Sequence, residues 1–241
     1  MPDSFDANDE ERLVLVDQRL KSVDFGDRVL AQFSSDGCSF IGCRFDNVEI
    51  GSAAFGAGQR VSEYVNCSFD NAILRMGPGG YARFVDCSFE GAVIEQWLCY
   101  AVDVVDCSFS GRLRKVVFNG AVPASKQHAA NKSTNRFEGN DFARASLVDV
   151  GFRTGIDLAK QKLPTGDGLY LLKDAEASAV RARRAFDSFH NRDLARRAGG
   201  VLSVIEKGVA EGQQQLFIRV DDYPRADRAA VRLLLEAAKT V

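Results

Sequence analysis

Large apolar residues recur every five positions along the first two thirds of the chain, and a compact residue lies two positions before each of them. Cys67 precedes Phe69 in this way, and Cys87 precedes Phe89. A strand has a side-chain period of two residues and a helix one of about 3.6, so neither element buries a five-residue pattern over such a length. A chain that turns a corner every five residues does bury it, because four such steps close a square coil around the large residues.

The segments NCSFDNAIL, DCSFEGAVI and DCSFSGRL begin at residues 66, 86 and 106, so the pattern repeats at intervals of 20 residues. A fixed period of this kind is typical of repeat proteins whose coils stack, about 4.8 Å apart, and pair their backbone groups. Ser88 lies between two inward positions and is therefore expected to point to solvent. The residues expected to form the internal ladder are Phe40, Phe45, Phe69, Phe84, Phe89, Phe109, Phe137, Phe142, Cys67, Cys87 and Cys107.

The repeat resembles the pentapeptide-repeat family, whose consensus is a small residue, then Asp or Asn, then Leu or Phe, then two variable positions. The segments GNDFA at 139–143 and ARASL at 143–147 match it, and the resemblance covers roughly residues 23–158. It implies a mainly β protein, a right-handed parallel quadrilateral β-helix of pentapeptide repeats. Trp97 occupies a position that is usually small, and Gly77-Pro78-Gly79-Gly80 replaces one apolar repeat, so the β-helix is expected to bulge or open there.

Three regions are predicted along the chain. Residues 1–22 form an N-terminal tail and a strand, LVLV at 13–16, that leads into or caps the first coil. Residues 23–162 form the β-helix, interrupted near 56–61 and by a long polar loop at 112–134. Residues 168–241 form a mostly helical (α or α+β) C-terminal domain, which covers one end of the β-helix, forms a dimer or is a separate module.

Hydrophobic positions at helical spacing predict the elements of the C-terminal domain. A pair of glycines, Gly199-Gly200, is expected to break or kink the chain between two of its helices, and LFIRV at 216–220 is expected to be a strand. Pro224 suits the first turn of a last helix. The expected apolar faces are Ala179, Ala182, Phe186 and Phe189 in the first helix, Val201, Ile205 and Val209 in the next, and Ala226, Ala230, Leu233 and Ala237 in the last.

The cysteines and the ends of the chain bear on where the protein works. No apolar run approaches the roughly 18 residues of a membrane span, and the N-terminus is acidic where a signal peptide would be basic and then apolar. A cytoplasmic protein is expected, in which the six cysteines remain thiols and act as small buried apolar residues. The spacing of Cys38 and Cys43, with only two histidines in the chain, does not match a zinc site. No cofactor is expected.

Catalysis is not expected, because the common phosphate-binding, hydrolase and zinc-protease motifs are absent from the sequence and histidine is nearly so. Solenoids present extended rigid surfaces, so the leading hypothesis is a scaffold that binds another protein in a regulatory, protective or toxin-neutralising role. A homodimer through the C-terminal helices is a further expectation. The candidate partner contacts are Lys126, His128 and Lys132 in the 112–134 loop, and Arg181, Arg184, Arg192 and Arg196 in the C-terminal domain.

Two other functions remain open. Some pentapeptide-repeat proteins mimic DNA and bind topoisomerases such as gyrase, giving protection or inhibition; mimicry requires a strongly negative β-helix, whereas residues 38–160 hold thirteen acids and thirteen bases. The second is nucleic-acid binding through an arginine-rich C-terminal helix, where several arginines would neutralise phosphates. The cluster consists of Arg181, Arg183, Arg184, Arg192, Arg196 and Arg197. A solvated helix face paired with Asp187 and Asp193 is the favoured interpretation of those arginines.

Overall fold

A parallel β-solenoid of about five turns spans residues 12–118, and a helical region follows it. The computed structural model describes residues 11–77 and 80–239. The strands are β1 (Arg12–Val16), β2 (Arg19–Lys21), β3 (Val29–Leu30), β4 (Gln32–Asp36), β5 (Ser39–Ile41), β6 (Glu49–Phe55), β7 (Ser62–Val65), β8 (Ile73–Met76), β9 (Tyr81–Val85), β10 (Ser88–Phe89), β11 (Val93–Glu95), β12 (Leu98–Cys99), β13 (Ala101–Val105), β14 (Ser108–Asn119), β15 (Phe137–Glu138), β16 (Asp141–Arg153), β17 (Leu169–Leu172) and β18 (Leu216–Arg219). The α-helices are α1 (Ala124–Ala130), α2 (Ala175–Asp187), α3 (Arg192–Ala210) and α4 (Arg228–Ala238).

Two parallel sheets run along the solenoid. Sheet 1 follows the order β1-β4-β6-β8-β11-β14-β10, with β3, β12 and β16 paired beside that path, and sheet 2 follows β15-β13-β9-β7-β5-β2. The strands of successive turns pair about 20 residues apart, as Phe84 does with Val104. The step lengthens to 24 residues from Phe40 to Tyr64 and to 33 from Val104 to Phe137, because extra residues enter the turn at those places.

Aromatic rings stack inside the solenoid along its axis. One column contains Phe25, Phe45, Phe69, Phe89, Phe109 and Phe142, whose neighbouring ring centroids lie 4.5 to 4.8 Å apart. A second column stacks Phe40, Tyr64 and Phe84 at 4.6 and 4.8 Å. The spacing equals the distance between strands, so each ring meets its equivalent in the next turn.

A column of cysteines, Cys43, Cys67, Cys87 and Cys107, lies beside the rings, and all four are buried. Their thiols donate hydrogen bonds to main-chain carbonyls at 3.3 to 3.8 Å. The compact side chain leaves room for the ring two residues later. Trp97 reverses this order, because the large residue comes first and the small Cys99 follows two residues later, and both are buried.

Extra residues enter the solenoid at one corner, the corner that precedes each strand of sheet 2, and we call it the variable corner. Residues 56–61 lie there between β6 and β7, and residues 120–136 lie there between β14 and β15. Turns approach closely at this corner. A Cβ on Gly80 would lie 1.5 Å from the carbonyl oxygen of Gly56, so glycine is required there.

The loop predicted at 112–134 is an inserted segment, but it begins later than predicted and it contains a helix. Strand β14 continues to Asn119, and α1 follows within the remaining segment. Val122 and Ala130 pack with Tyr81 and Ala101 in a small cluster on the outside of the variable corner. Pro123 at the N-cap and a run of helix-forming residues were the local signal of this helix.

At the N-terminus, LVLV belongs to β1, which pairs with β4 in the parallel register of the turns. It is therefore part of the first turn and not a separate capping strand. The predicted tail at residues 1–10 lies outside the described residues. The stretch at Pro78 and Gly79, where the β-helix was expected to open, also lies outside them.

The C-terminal domain has its own hydrophobic core and closes the C-terminal end of the solenoid. Strands β17 and β18 form an antiparallel hairpin, and α2, α3 and α4 pack against one another. The ring of Phe217 meets Phe152 edge to face at 6.4 Å. The Gln213 side chain accepts hydrogen bonds from the N–H groups of Gly155 and Ile156 at 2.6 and 2.8 Å. Of the three arrangements left open by the sequence, the structure shows the domain covering one end.

Two predictions for this domain were wrong. Helix α3 runs unbroken through Gly199 and Gly200, because its apolar face buries Val201 and Ile205 against α2 and α4, which outweighs the low helix propensity of two glycines. The last helix begins at Arg228 and not near Pro224.

The apolar face of this last helix is also displaced from the predicted one. Ala230, Val231, Leu234, Leu235 and Ala238 are buried, whereas the predicted Leu233 and Ala237 are exposed and Ala226 precedes the helix. Both i, i+3 and i, i+4 spacings fit the apolar residues of this helix, so the spacing alone did not fix the face.

Candidate functional site

A cleft of about 330 Å³ lies between the end of the solenoid and the C-terminal domain. We call it the junction cleft. One wall is the last part of β16, the opposite wall is the second half of α3, and β18 with the short 3₁₀ helix after it closes one end. The residues that line it are Val117, Leu147, Asp149, Val150, Gly151, Phe152, Arg153, Val204, Lys207, Gly208, Glu211, Gln213, Leu216, Phe217, Ile218, Arg219, Asp222 and Tyr223.

Apolar side chains and a glycine form the middle of the junction cleft. Val204 of α3 is 47% exposed beside it, and Val117 and Phe217 are half-buried. Gly151 pairs with Val117 of the preceding turn, so its position is an outward one. The Arg153 side chain lies over this position, with its Nε 3.2 Å from where a Cβ of residue 151 would be.

Charged groups surround the apolar middle. Arg219 donates to the Asp222 carboxylate at 2.9 Å, and Lys207 lies 3.6 Å from Glu211. Burial raises the pKa of Asp222, while hydrogen bonding from the Asp149 backbone N–H and the charge of Arg219 act in the opposite direction. These acids and bases are therefore mostly compensated within the chain.

Burial also raises the pKa of Tyr223 to about 12, with a smaller contribution from the neighbouring Asp222 carboxylate. Its hydroxyl is therefore neutral at physiological pH. A neutral phenol beside a carboxylate can donate or accept a hydrogen bond. The polar groups of the cleft are thus suited to holding a ligand in one orientation.

The N-terminal end of the solenoid is the second candidate surface. Strand β1 pairs only with β4, and β2 only with β5, among the strands of the described chain. Leu13, Leu15, Leu20 and Val23 of this first turn are inward residues, yet they are only partly buried. Large apolar side chains are also exposed on the outside of the first two turns: Val14 at 59%, Val16 at 47%, Val29 at 71% and Ile41 at 45%.

The predicted contacts in the 112–134 segment separate into two kinds. Lys132 donates a hydrogen bond to the Asp103 carboxylate, and Lys126 lies over the rings of Tyr81 and Tyr100 at 5.4 and 5.9 Å. Both lysines hold the segment against the solenoid. His128 is exposed on α1.

The predicted arginines of the C-terminal domain do not share one environment. Arg181 donates to the carbonyl oxygen of Ala238 and links α2 to the end of α4. Arg196 donates to Asp193 one turn away on α3 at 2.7 Å. Arg184 and Arg192 are exposed, on α2 and at the start of α3.

The residues predicted as an internal ladder are buried in the solenoid interior. Hydrogen bonding to a neighbouring thiol and burial raise the pKa of Cys67 and Cys87, the latter to about 12, and burial raises the pKa of Cys99. These thiols are therefore protonated and poor nucleophiles at neutral pH. Within the described ranges, no three His, Cys, Asp or Glu side chains converge as metal ligands.

Sequence reasoning did not find the junction cleft, because its walls come from residues 147–153 and 204–223, which are distant in the chain. The one local signal was Gly151, a glycine at an outward repeat position. No protein-family model matches the sequence, and no curated protein matches it either. No helix within the described residues has both the length and the apolar character needed to span a membrane.

Proposed function

We propose that the solenoid is a right-handed quadrilateral β-helix of pentapeptide repeats and that the protein is a non-catalytic, cytoplasmic scaffold that binds another protein. The five-residue step between buried residues, from Phe40 to Phe45 to Ile50, supports this assignment. So do the corner residues Asp27 and Asn47, which have positive φ angles of 60° and 56°, because Asp and Asn tolerate the left-handed conformation that tight corners need.

The observation that carries the binding function is the apolar N-terminal end. Val14 and Val29 are more than half exposed on the first turn, and among the strands that the structure describes none pairs with the outer edge of β1 beside them. Soluble proteins seldom leave an apolar patch and an open strand edge together without a partner. A regulatory, protective or toxin-neutralising partner is proposed to dock there.

Substitution of these valines tests the proposal. Val14→Asp and Val29→Asp place a charge in the expected interface, and Val180→Asp is the control, because Val180 is 52% exposed on α2. Each variant is used as bait in quantitative capture from cells of the native host. We expect a partner bound by wild type and by Val180→Asp to be lost from the other two, whereas capture that is equal on all baits would refute docking at this end.

Binding to gyrase as a DNA mimic is a second candidate, favoured by the net negative charge of most of the solenoid. Residues 11–107 hold fourteen acids and eight bases. Some of these acids serve the solenoid itself, since Asp46 and Asp70 accept backbone N–H groups of the following turns at 3.0 and 2.8 Å. A supercoiling assay with stoichiometric protein tests this candidate, and unchanged gyrase activity would remove it.

The remaining hypotheses concern the C-terminal domain. Ion pairs from Arg183 to Glu206 and from Arg197 to Asp193 compensate part of the arginine cluster, which weakens the case for nucleic-acid binding. The homodimer through the C-terminal helices remains a prediction, and the 50% exposure of Leu233 on α4 supports it. Light scattering of wild type and Leu233→Glu tests it, and a wild-type monomer would contradict it.

A further inference from the structure

Strand β1 lies at the N-terminal end of sheet 1, and β4 is its one partner among the described strands. All five residues of β1 pair with residues 32–36 in continuous register. The left-handed corner comes only after the strand, at Asp17 with a φ of 54°. β1 is therefore extended along its whole length, and no described strand pairs with its outer edge.

The hydrogen bonds at the two ends of β1 show which backbone groups face this outer edge. Just before the strand, the Glu11 carbonyl accepts a hydrogen bond from the next turn at 2.9 Å, and just after it the Asp17 N–H donates one to that turn at 3.0 Å. Alternate residues of a parallel strand face the same neighbour, so the even-numbered residues between them face outward. The Val16 carbonyl accepts a hydrogen bond from the Gln18 side chain at 3.0 Å. The N–H and C=O groups of Val14, at the centre of the strand, are therefore directed to the outer edge.

Uncompensated cations surround the same end of the solenoid. Arg12, Arg19 and Lys21 are exposed, and none of them has an ion-pair partner among the described residues. The acids of residues 11–28 are all paired: Glu11 with Arg28, Asp17 with Arg60, and Asp24 and Asp27 with Arg44. The N-terminal end therefore carries a net positive charge that the chain does not neutralise.

These cations belong to the end of the solenoid and do not form a stripe along it. Their partners in the second turn are the uncharged residues Gln32, Ser39 and Ile41. Cations on an edge strand hinder pairing between two copies of that edge, and they attract a partner of opposite charge. The inward side chains of Leu13 and Leu15 are only partly buried. The charge thus disfavours a second copy of this chain and favours an occupant that is both acidic and apolar.

Given the protein-binding function proposed above, on which this inference rests, we propose that the partner presents an extended acidic segment that adds to the outer edge of β1 as a further strand. Main-chain hydrogen bonds to Val14 supply affinity, as in other cases of strand addition. Apolar side chains of the segment cover the inward leucines of β1. Its acids meet Arg12, Arg19 and Lys21.

Substitutions at Val14 test the backbone contact. The probe is a displayed library of random peptides of about ten residues, selected on the full-length protein. Val14→Pro removes the outward N–H, and an edge strand tolerates proline where the N–H faces away from the sheet. Val14→Thr is the matched control, because it keeps both the N–H and the β-branched shape. Thermal melts establish that the variants are folded.

Charge reversal tests the rim of cations. One variant combines Arg12→Glu, Arg19→Glu and Lys21→Glu, and we call it the end reversal. The control reversal combines Arg75→Glu, Arg112→Glu and Lys115→Glu, which are exposed residues of later turns, also without an ion-pair partner among the described residues. Both variants replace two arginines and one lysine, so they change the net charge of the protein by the same amount.

We expect the selected peptides to combine apolar residues with several acids. They should bind Val14→Pro and the end reversal at least about tenfold more weakly than wild type, and Val14→Thr and the control reversal within about threefold. Added salt should weaken binding to wild type more than to the end reversal. A bound peptide should also slow hydrogen exchange at the Val14 N–H.

Three results would overturn the proposal: selected peptides without acids, peptides that bind Val14→Pro as well as wild type, or a selection that enriches none. Enrichment only on a variant that lacks residues 1–10, which hold four acids, would assign the edge to that segment and not to a partner.

Capture of the cellular partner separates this proposal from the docking on which it rests. A partner that is lost from Val14→Asp and Val29→Asp but kept by Val14→Pro and the end reversal would leave docking in place and refute strand addition. Equal capture on all of these baits would refute the docking itself.

Discussion

The hydroxyl groups of Tyr64 and Ser35 form a buried hydrogen bond of 2.7 Å in the interior of the solenoid. The Tyr64 ring stacks between Phe40 and Phe84. The Ser35 oxygen also accepts a hydrogen bond from the backbone N–H of Gly56 at 3.1 Å. The pair therefore joins the aromatic column to the first insertion of the variable corner.

Removing either hydroxyl should destabilise the protein by different amounts. Tyr64→Phe loses one hydrogen bond and leaves Ser35 bonded to Gly56, so it should cost about 1 kcal/mol. Ser35→Ala leaves both the Tyr64 hydroxyl and the Gly56 N–H without this partner and should cost about 2–3 kcal/mol. Urea denaturation measures both values. A smaller loss for Ser35→Ala than for Tyr64→Phe would show that the serine is not the shared acceptor.

The stacked phenylalanines should dominate the stability of the solenoid. Phe89→Ala removes a buried ring between Phe69 and Phe109 and should cost about 3–5 kcal/mol. Thermal melts measure the loss. Destabilisation by Phe89→Ala that is no greater than that of a serine substitution next to it would contradict this register.

Ser88, next to Phe89, provides that comparison, and its environment corrects the expectation that it only points to solvent. Ser88 is not simply solvated, because its hydroxyl donates to the Asp70 carboxylate. A hydrogen bond to a charged group contributes more than a neutral one, so Ser88→Ala should cost about 1–2 kcal/mol. Ser108→Ala is the control in the equivalent position of the next turn and should change stability by less than about 0.5 kcal/mol. Equal losses of stability for Ser88→Ala and Ser108→Ala would show that the hydrogen bond to Asp70 does not stabilise the protein.

Because the large and small residues are exchanged at Trp97 and Cys99, substitutions at these two positions should have effects on stability that do not add. Cys99→Leu enlarges a residue beside a buried indole and should cost about 1–3 kcal/mol through overpacking. Trp97→Ala should cost about 3–5 kcal/mol through the cavity that it leaves. In the double variant the leucine occupies part of that cavity, so the total loss should be smaller than the sum. Additive losses in urea denaturation would show that the two positions do not compensate.

The buried thiols predict a fall in stability at alkaline pH. The pKa of Cys87 rises from about 9 to about 12 in the folded protein. Between these values the unfolded chain loses the thiol proton while the folded protein retains it, so the free energy of unfolding should decrease as the pH rises from 9 toward 12. Urea midpoints at pH 7.5, 9 and 10.5 measure the slope, and Cys87→Ala should reduce it. A slope that this substitution leaves unchanged would assign the effect to other groups.

The solenoid could be predicted because its signal is local and repeated. Every five residues contain a compact residue and a large one, as Cys87 and Phe89 do. Four such units, or twenty residues, bring the chain back to the same face of the solenoid. The helical domain offered no such repetition. Whether Leu233 or Leu234 faces the core of the C-terminal domain depends on how α4 meets α2 and α3, and the spacing of apolar residues fits both.

The candidate site was harder to predict than the fold for a similar reason. Gly151 was visible in the sequence as an ordinary repeat position, and Val204 as one apolar residue of a helix. Their proximity depends on the C-terminal domain returning to cover the last turn, which Phe217 and Gln213 bring about. The position of β1 at the end of the stack, with β4 as its one partner among the described strands, is similarly a property of the stacked turns.

The confinement of extra residues to the variable corner has a consequence for protein engineering. The turn from Phe40 to Tyr64 and the turn from Val104 to Phe137 have absorbed additional chain, and the parallel pairing of sheet 2 continues across both. A foreign loop or a small binding module spliced between β12 and β13, at Tyr100, would enter at the same corner. Modules inserted at this corner in different turns would then lie along a single line, separated by multiples of the spacing between turns.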